Sequence, residues 1–145
     1  MFKKILLSIK PNYMIEILNG NKVIELRKRI GRGFLPETKI YLYASSPVKA
    51  LVGTANLKKI EKLTLQKARH EQFDIFNKAC IGREDFDEYF KCSEFCYFLH
   101  VDHVKTSEFP VSLLSLGELG VTPPQSFCYL TQEHIKKIDS LLEGA

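Results

Sequence analysis

The stretch Gly20-Asn21-Lys22-Val23-Ile24-Glu25-Leu26-Arg27-Lys28-Arg29 combines good strand formers with dense charge. Its apolar residues predict a strand that begins at a tight turn. Alternate side chains of a strand share a face. One face therefore carries Val23, Glu25, Arg27 and Arg29, and the other carries Ile24, Leu26 and Lys28. This arrangement places a carboxylate beside two guanidinium groups.

A carboxylate next to arginines suits the binding of a polar, anionic ligand. Arg27 offers a planar fork to phosphate or carboxylate, while Glu25 can hold that fork in place or act as a base. The alternative is a solvated edge strand whose charges discourage aggregation. The charge pattern alone leaves both interpretations open.

Length and composition are those of one ordinary globular domain. The chain has 145 residues, of which 45% are hydrophobic and 26% are charged, so we predict a single domain over 1–145. The first apolar run ends at Ser8, Lys10 and Pro11, far short of a signal peptide or membrane span. We therefore expect a cytoplasmic protein without membrane contact. Its four cysteines are expected to be reduced: Cys80, Cys92, Cys96 and Cys128.

Positive charge is concentrated at the start of the chain. Residues 1–35 hold eight basic and two acidic residues, a balance of +6, whereas the remainder has a balance of −2. If these residues cluster in space, they form a positive face that attracts nucleic acid or nucleotides. If they scatter over the surface, the asymmetry has no such meaning.

Period-two hydrophobicity predicts strands in the first half of the chain. They span Lys3–Ile9, Lys39–Ala44 and Val48–Leu57, with a turn at Ser45-Ser46-Pro47. A short helix starts at Pro11 and ends at Asn19-Gly20. Gly53, inside a strand, marks a bulge or a close approach by another backbone or a ligand. The pattern predicts a mostly antiparallel sheet.

Helical spacing follows, in what looks like an insertion between strands. Thr64 to Ala79 places Leu65, Ala68, Phe73, Phe76 and Ala79 near one stripe, with Thr64 as the cap, and Arg83 to Phe90 forms an acidic helix. Phe95 to Val104 returns as a strand. Residues 109–117 are predicted as a loop with at most one helical turn. Thr131 caps a last amphipathic helix that runs to Leu142.

The segment Thr122-Pro123-Pro124-Gln125-Ser126-Phe127 contains two prolines that stiffen its backbone. A stiff loop can hold the polar Gln125 and Ser126 over a site at little entropic cost. Alternatively, it is a rigid connector that plugs the end of a barrel with Phe127.

The sequence gives little support for metal binding or for the common cofactor and nucleophile motifs. If 95–104 is a strand, Cys96 and His100 share one face while His103 lies on the other, and no C-x-x-C is present, so we predict no metal site. G-x-S-x-G, P-loop and dinucleotide motifs are absent, and no cofactor is expected. Lys22 and Glu25 could act as an acid and base, or form a plain structural ion pair.

Several of these segments together resemble the ASCH domain family of the PUA-like superfamily. The resemblance rests on Ser8-Ile9-Lys10-Pro11 and on Ile17-Leu18-Asn19-Gly20-Asn21-Lys22-Val23-Ile24-Glu25-Leu26-Arg27, and it is extended by Tyr43-Ala44-Ser45-Ser46-Pro47-Val48 and Val52-Gly53. Pro123-Pro124-Gln125-Ser126-Phe127 resembles a C-terminal signature of a family subset described as regulators, including transcriptional ones. The likeness covers most of the chain.

The resemblance implies an α+β fold, a PUA-like mixed β-barrel of five to six strands with flanking helices and a helical insertion. Its cleft would be lined by Lys22, Glu25 and Arg27. The superfamily is associated with binding RNA or modified bases. Some relatives hydrolyse acetylcytidine with a Lys, a Thr and a Glu, and others are reported ribonucleases. Lys22 matches that lysine, but Glu25 stands where the threonine nucleophile would be, and Glu84 and Glu88 are only candidates for the glutamate.

The leading hypothesis is a module that binds RNA or a modified nucleotide. Arg27 and Lys10 would meet phosphate, and Lys22 and Glu25 a base edge or sugar. The neutral ligand-binding candidates are Ser8, Ser45, Ser46, Gln125 and Ser126. One alternative is a hydrolase of the same cleft, either an acetylcytidine-type amidohydrolase or a ribonuclease, in which Lys22 and Glu25 are catalytic. Another is a regulatory domain that binds a protein through the helical insertion.

Overall fold

The computed structural model describes residues 4–70 and 72–144, without the side chains of residues 72 and 73. The strands of this part are β1 (Lys4–Ile9), β2 (Ile24–Arg27), β3 (Lys39–Ala44), β4 (Ala50–Thr64), β5 (Phe95–Ser112) and β6 (Phe127–Leu130). The helices are α1 (Pro11–Leu18), α2 (Leu65–His70), α3 (Gln72–Lys78), α4 (Arg83–Tyr89), α5 (Leu113–Glu118) and α6 (Gln132–Leu142). The predictions for Lys3 and for the side chain of Phe73 lie outside the described residues.

These strands form a six-stranded sheet in the order β2-β5-β4-β3-β1-β6. Strands β1 and β3 pair in parallel, and the other neighbouring strands pair antiparallel. The predicted mostly antiparallel sheet is therefore confirmed. Strands β1 and β3 carry continuous apolar runs because both of their faces are buried. One face packs inside the curled sheet through Ile5, Leu7 and Leu99. The other packs Leu6 and Tyr41 against Ile138 of α6.

The two longest strands described, β4 and β5, are longer than predicted. Their pairing shifts register at three places, and such bulges bend a strand so that it can continue around a curved sheet. A Cβ atom at Gly53 would lie 2.5 Å from the carbonyl oxygen of Lys105, which confirms the predicted close approach of another backbone. The predicted loop at 109–117 is wrong, because Leu51 pairs with Val111 and extends β5 to Ser112, after which α5 begins.

Helices α2, α3 and α4 are inserted between β4 and β5 and cover the outer face of β2 and β5. Phe86 and Phe90 of α4 share an apolar cluster with Ile24 and Leu26 of β2. The sequence predicted one helix over 64–79, but the structure has two, α2 and α3. The predicted cap is confirmed, because Thr64 Oγ1 accepts a hydrogen bond from the Lys67 amide at 3.2 Å.

The predicted ends of the other helices are also confirmed. Pro11 occupies the first turn of α1, and Gly20, with φ of +82°, follows its end in the left-handed conformation that glycine adopts easily. Thr131 Oγ1 accepts a hydrogen bond from the amide of His134 at the start of α6. Within the described ranges, none of the helices is long and apolar enough to cross a lipid bilayer.

Candidate functional site

The alternation predicted for the charged strand determines which of its side chains face inward. β2 is shorter than the predicted segment and spans only four residues, all of them buried. Ile24 and Leu26 face the helical insertion. Glu25 and Arg27, each 8% exposed, lie on the opposite face, whereas Arg29 is exposed after the strand has ended. The strand therefore buries one carboxylate and one guanidinium group together.

Lys22, Glu25 and Arg27 form a buried ionic cluster. Arg27 donates from Nε and Nη2 to Glu25 Oε2, at 3.1 and 2.7 Å. The Lys22 ammonium lies 3.4 Å from Glu25 Oε1, and Lys22 is only 3% exposed. Two cations thus share one carboxylate, and the cluster carries one more positive than negative charge when all three groups are ionised. Excess charge in a desolvated site favours an anionic partner.

Burial lowers the pKa of Lys22 below its ordinary value of 10.5. The nearby carboxylate of Glu25 acts in the opposite direction, because it stabilises the ammonium form, but it does not cancel the cost of desolvation. Lys22 also donates a hydrogen bond to the carbonyl oxygen of Ala79, at the end of α3. A lysine held in this way gives up its proton more easily than a lysine in water.

Arg27 connects the cluster to two segments that are remote in sequence. Its Nη2 donates to the Ser8 carbonyl oxygen at 2.8 Å, and its Nη1 donates to Ser126 Oγ at 3.2 Å and to the Ser126 carbonyl oxygen at 3.5 Å. Ser8 belongs to β1 and Ser126 immediately precedes β6. These contacts bring the edge strand β2 close to the opposite edge of the curled sheet.

The stiff proline segment is attached to β1 beside this cluster. Ser8 Oγ donates to the Pro124 carbonyl oxygen at 2.7 Å, and the Ser8 amide donates to the Ser126 carbonyl oxygen at 2.8 Å. Gln125 and Ser126 are exposed. Phe127 begins β6, and its half-buried ring packs against the interior apolar cluster, edge-on to Phe34 at 4.7 Å between centroids.

Three other predicted residues lie further out. Lys10 is exposed at the residue before α1. Ser45 is half-buried and donates to the Ile9 carbonyl oxygen from its amide at 3.0 Å and from Oγ at 3.4 Å, and Ser46 is exposed in the following turn. In the described ranges, none of the three forms a hydrogen bond or ion pair with Lys22, Glu25 or Arg27.

Two tyrosines flank the cluster of Lys22, Glu25 and Arg27, and neither was predicted from the sequence as a site residue. The Lys22 ammonium lies 5.0 Å from the ring centroid of Tyr13, and burial, Asp85 and Glu25 raise the pKa of Tyr13 above 10.0. On α4, the ring of Tyr89 lies 4.7 Å from the Lys28 ammonium. Burial raises the pKa of Tyr89, the nearby Arg27 opposes this effect, and the nearby Glu25 adds to it. Tyr13 belongs to α1 and Tyr89 to α4, and no motif in the sequence connected either residue to the charged strand.

The acidic residues of α4 do not join the cluster. Glu84 and Glu88 are exposed. Asp85, also exposed, acts on the site only by raising the pKa of Tyr13. Across the described residues, no group of three or more His, Cys, Asp and Glu side chains is arranged to hold a metal ion, and the four cysteines are free thiols.

On the surface of the described residues, cavities lie away from the cluster, and two of them are well defined. One of about 450 Å³ opens beside Gly53, Lys105 and Asp139. The other, about 510 Å³, lies along α5 beside Leu113, Leu114 and Val121. Neither is lined by a predicted site residue.

Comparison with known proteins places this fold among PUA-like structures. Human THYN1, solved in complex with DNA containing 5-methylcytosine, superposes with a TM-score of 0.60 at 16% identity, over 97% of this chain and 98% of that one. The ASCH protein of Zymomonas mobilis superposes with a TM-score of 0.85 at 26% identity, over 96% of this chain and 95% of that one. Its serine-to-alanine variant gives 0.87, over 96% of both chains at 26% identity.

The chain belongs to the ASCH domain family. The ASCH domain-containing ribonuclease of Zymomonas mobilis is 30% identical to it over 143 residues, which are 96% of this chain and 92% of that protein. No family model matches the chain. The family expected from the Gly20 to Arg27 pattern is therefore confirmed by a relative of nearly the same length.

Proposed function

We propose that this protein binds RNA or a modified nucleotide at the buried cluster of Lys22, Glu25 and Arg27. The observation that carries the proposal is the composition of this cluster, in which two cations share one carboxylate behind an exposed polar loop. A phosphate beside the cluster would balance the excess charge. A relative in the same family with 30% identity is a ribonuclease by name, which supports RNA as the ligand.

The Nη1 edge of Arg27 is where an anion would bind. Its contacts with Ser126, at 3.2 and 3.5 Å, are longer than those that Nη2 makes with Glu25 and Ser8, at 2.7 and 2.8 Å. A phosphate can replace the Ser126 contacts while Glu25 continues to hold the guanidinium group in place. Because the Ser126 side chain is exposed, its hydroxyl can turn away from Arg27 while its carbonyl oxygen stays bonded to the Ser8 amide, so little buried hydrogen bonding is lost.

The outer candidates have supporting roles in this proposal. Exposed Lys10 meets a neighbouring phosphate, while Ser45, Ser46 and Gln125 donate or accept hydrogen bonds at the rim. Ser8 supports the loop, since its hydroxyl and amide hold the backbone of Pro124 and Ser126. Lys22 and Glu25 meet a base edge or a sugar.

Arg27→Lys tests this site. The substitution keeps a positive charge but removes the planar fork, so the dissociation constant for a short fluorescent oligouridine, measured by anisotropy, should rise about tenfold or more because a charge-assisted hydrogen bond is lost. Arg69→Lys is the matched control, because Arg69 makes an exposed ion pair with Asp87 on the insertion. If the affinity is the same for Arg27→Lys and the wild type, Arg27 is not part of the site.

A second candidate function is hydrolysis of RNA in the same place. The name of the ribonuclease relative favours it. The lowered pKa of Lys22 favours it as well, because a general acid works best when its pKa is close to the working pH. Lys22 would donate a proton and Glu25 would accept one. Cleavage of acetylcytidine through an acyl intermediate is not proposed, since Glu25 stands where those relatives carry threonine.

Lys22→Gln separates binding from turnover. Glutamine still donates a hydrogen bond to Ala79 but does not act as a proton donor, so kcat/KM for cleavage of labelled RNA should fall about 100-fold or more. The dissociation constant, measured on the same oligonucleotide, should also rise, because the cluster loses its excess charge, but by less than kcat/KM falls, because Arg27 still holds the phosphate. Cleavage by Lys22→Gln at the wild-type rate would exclude Lys22 as the acid, and no cleavage by the wild type would exclude this second function.

Four sequence predictions accompany the proposal. They are the single domain over 1–145, a cytoplasmic location, membership of the subset marked by the segment Pro123–Phe127, and a regulatory role, for example in transcription. A protein partner at the helical insertion is the corresponding alternative to RNA.

A further inference from the structure

A row of side chains leads from the buried cluster to the surface across three neighbouring strands. Arg27 of β2 is opposite Tyr97 of β5, and Tyr97 is opposite Lys62 of β4. Residues that are directly opposite on antiparallel strands project from the same face of the sheet. Arg27 is 8% exposed, Tyr97 is half-buried and Lys62 is exposed. The row therefore continues the candidate site outward into solvent.

Phe95 adds a second aromatic ring to this row. It stands two residues before Tyr97 on β5, so its side chain lies on the same face, and it is also half-buried. The Lys62 ammonium lies 4.2 Å from the ring centroid of Phe95 and 5.9 Å from that of Tyr97. Among the described residues, these two rings belong to none of the three apolar clusters.

Aromatic rings and a lysine in this arrangement suit unpaired nucleobases. Every base has a flat face that can stack on an aromatic side chain, whatever the sequence, and a basic side chain alongside can follow the phosphates. A base pair inside a duplex does not expose that face. The ammonium over the rings occupies the place that a base would take, and its long side chain can swing to a phosphate.

We propose that Lys62, Phe95 and Tyr97 form a stacking surface that holds one or two unpaired bases next to the nucleotide bound at Arg27. This inference rests on the proposed function, since it needs an RNA strand at the buried cluster. On binding, a base replaces the Lys62 ammonium over the Phe95 ring, and the ammonium moves to the phosphate of the same nucleotide. The strand then runs from Arg27 across β5 to β4.

The double variant Phe95→Leu/Tyr97→Leu tests the stacking. Leucine keeps apolar bulk at both positions but lacks a flat ring, so the dissociation constant for the fluorescent oligouridine should rise at least about fivefold. Phe109→Leu is the matched control, because Phe109 is an exposed aromatic residue on the same strand whose ring packs against Gly144 instead. It should bind as the wild type does.

A second variant keeps the test decisive if the double variant folds poorly. Lys62→Gln alters only an exposed side chain, and the slope of log K against log salt for single-stranded RNA should become shallower by about 0.7. An oligonucleotide with the fluorescent base 2-aminopurine should be quenched by the wild type and much less by Tyr97→Leu, since the quenching requires stacking.

The outcomes distinguish the stacking surface from the proposed function on which it rests, RNA binding at the buried cluster. If Arg27→Lys weakens binding while Phe95→Leu/Tyr97→Leu and Lys62→Gln bind like the wild type, the stacking surface is wrong and the buried site stands. If the wild type does not bind the oligouridine at all, both proposals are wrong. Equal loss of affinity in Phe109→Leu would also refute the surface, because the effect would not be specific to the row.

Discussion

At the scale of single residues, Lys22 is the residue whose burial most constrains the chemistry. It is 3% exposed, and burial lowers its pKa while Glu25 only partly offsets the effect. The folded chain therefore binds this proton less tightly than the unfolded chain does. Below pH 10.5 the unfolded chain binds a proton at Lys22 more tightly than the folded chain does. Protonation therefore favours the unfolded chain and lowers the free energy of unfolding.

This linkage predicts a pH dependence with a definite sign. As the pH rises from the lowered pKa of folded Lys22 towards 10.5, the free energy of unfolding of the wild type should increase relative to that of Lys22→Met. Methionine has similar length and no titratable group, and most other titrating groups cancel in the difference. Urea unfolding at several pH values between neutral and 10 measures it. A difference that is constant or decreases with rising pH would contradict the buried, desolvated position of Lys22.

At the scale of elements, the helical insertion and β2 behave as one supported unit. The Val23 amide donates to the Lys78 carbonyl oxygen at 2.8 Å, and the Lys22 ammonium donates to the carbonyl oxygen of the next residue, Ala79. The apolar face of β2 packs into the cluster that contains Phe86. The insertion thereby positions the strand that carries the charged cluster, in addition to presenting Tyr89 at its rim.

Phe86→Ala should consequently damage binding as well as stability. Phe86 is fully buried, with its ring centroid 5.4 Å from Phe76 and 4.8 Å from Phe90, so we expect a loss of about 3–5 kcal/mol in unfolding free energy. The control is Ile138→Ala, a fully buried residue in the cluster under α6, which should cost about 2–5 kcal/mol. At a temperature where both variants are folded, only Phe86→Ala should weaken oligouridine binding. Equal binding by the two variants would separate the insertion from the site.

At the scale of the whole molecule, the positive bias of the first 35 residues divides into two parts. Lys22 and Arg27 are buried in the cluster, while Lys10, Lys28, Arg29 and Arg32 are exposed. Exposed cations near the site attract a polyanion and release counterions when it binds. The buried cations instead define the place where one anionic group is held.

Lys28→Gln separates these two roles. Lys28 is exposed and lies 4.7 Å from the Tyr89 ring, beside the cluster but outside it. Removal of one phosphate contact should make the slope of log K against log salt for single-stranded RNA shallower by about 0.7 and weaken all sequences similarly. Lys136→Gln makes the same change of charge on the exposed side of α6 and should leave the slope unaltered. Equal slopes for the wild type and Lys28→Gln would place the bound strand elsewhere.

Prediction from sequence succeeded where a local pattern was sufficient. The turn at Gly20, the caps at Thr64 and Thr131 and the bulge at Gly53 each follow from a few neighbouring residues. It failed at 109–112, where pairing with β4 extends β5 through Pro110 into a segment that reads as a loop. Strand pairing over a long sequence separation overrides local preference, and no nearby residue reveals it.

The sequence by itself determined which side chains of β2 share a face and the family to which the chain belongs, because side-chain alternation and the motif from Gly20 to Arg27 are properties of consecutive residues. Only the tertiary structure decided which polar groups share the site. Ser8, Arg27 and Ser126 meet because the sheet curls and brings β2 towards β6, and Tyr89 joins them because the insertion packs on β2. Hydrogen bonds and desolvation act between neighbours in space, and those neighbours are set by the packing of the whole chain.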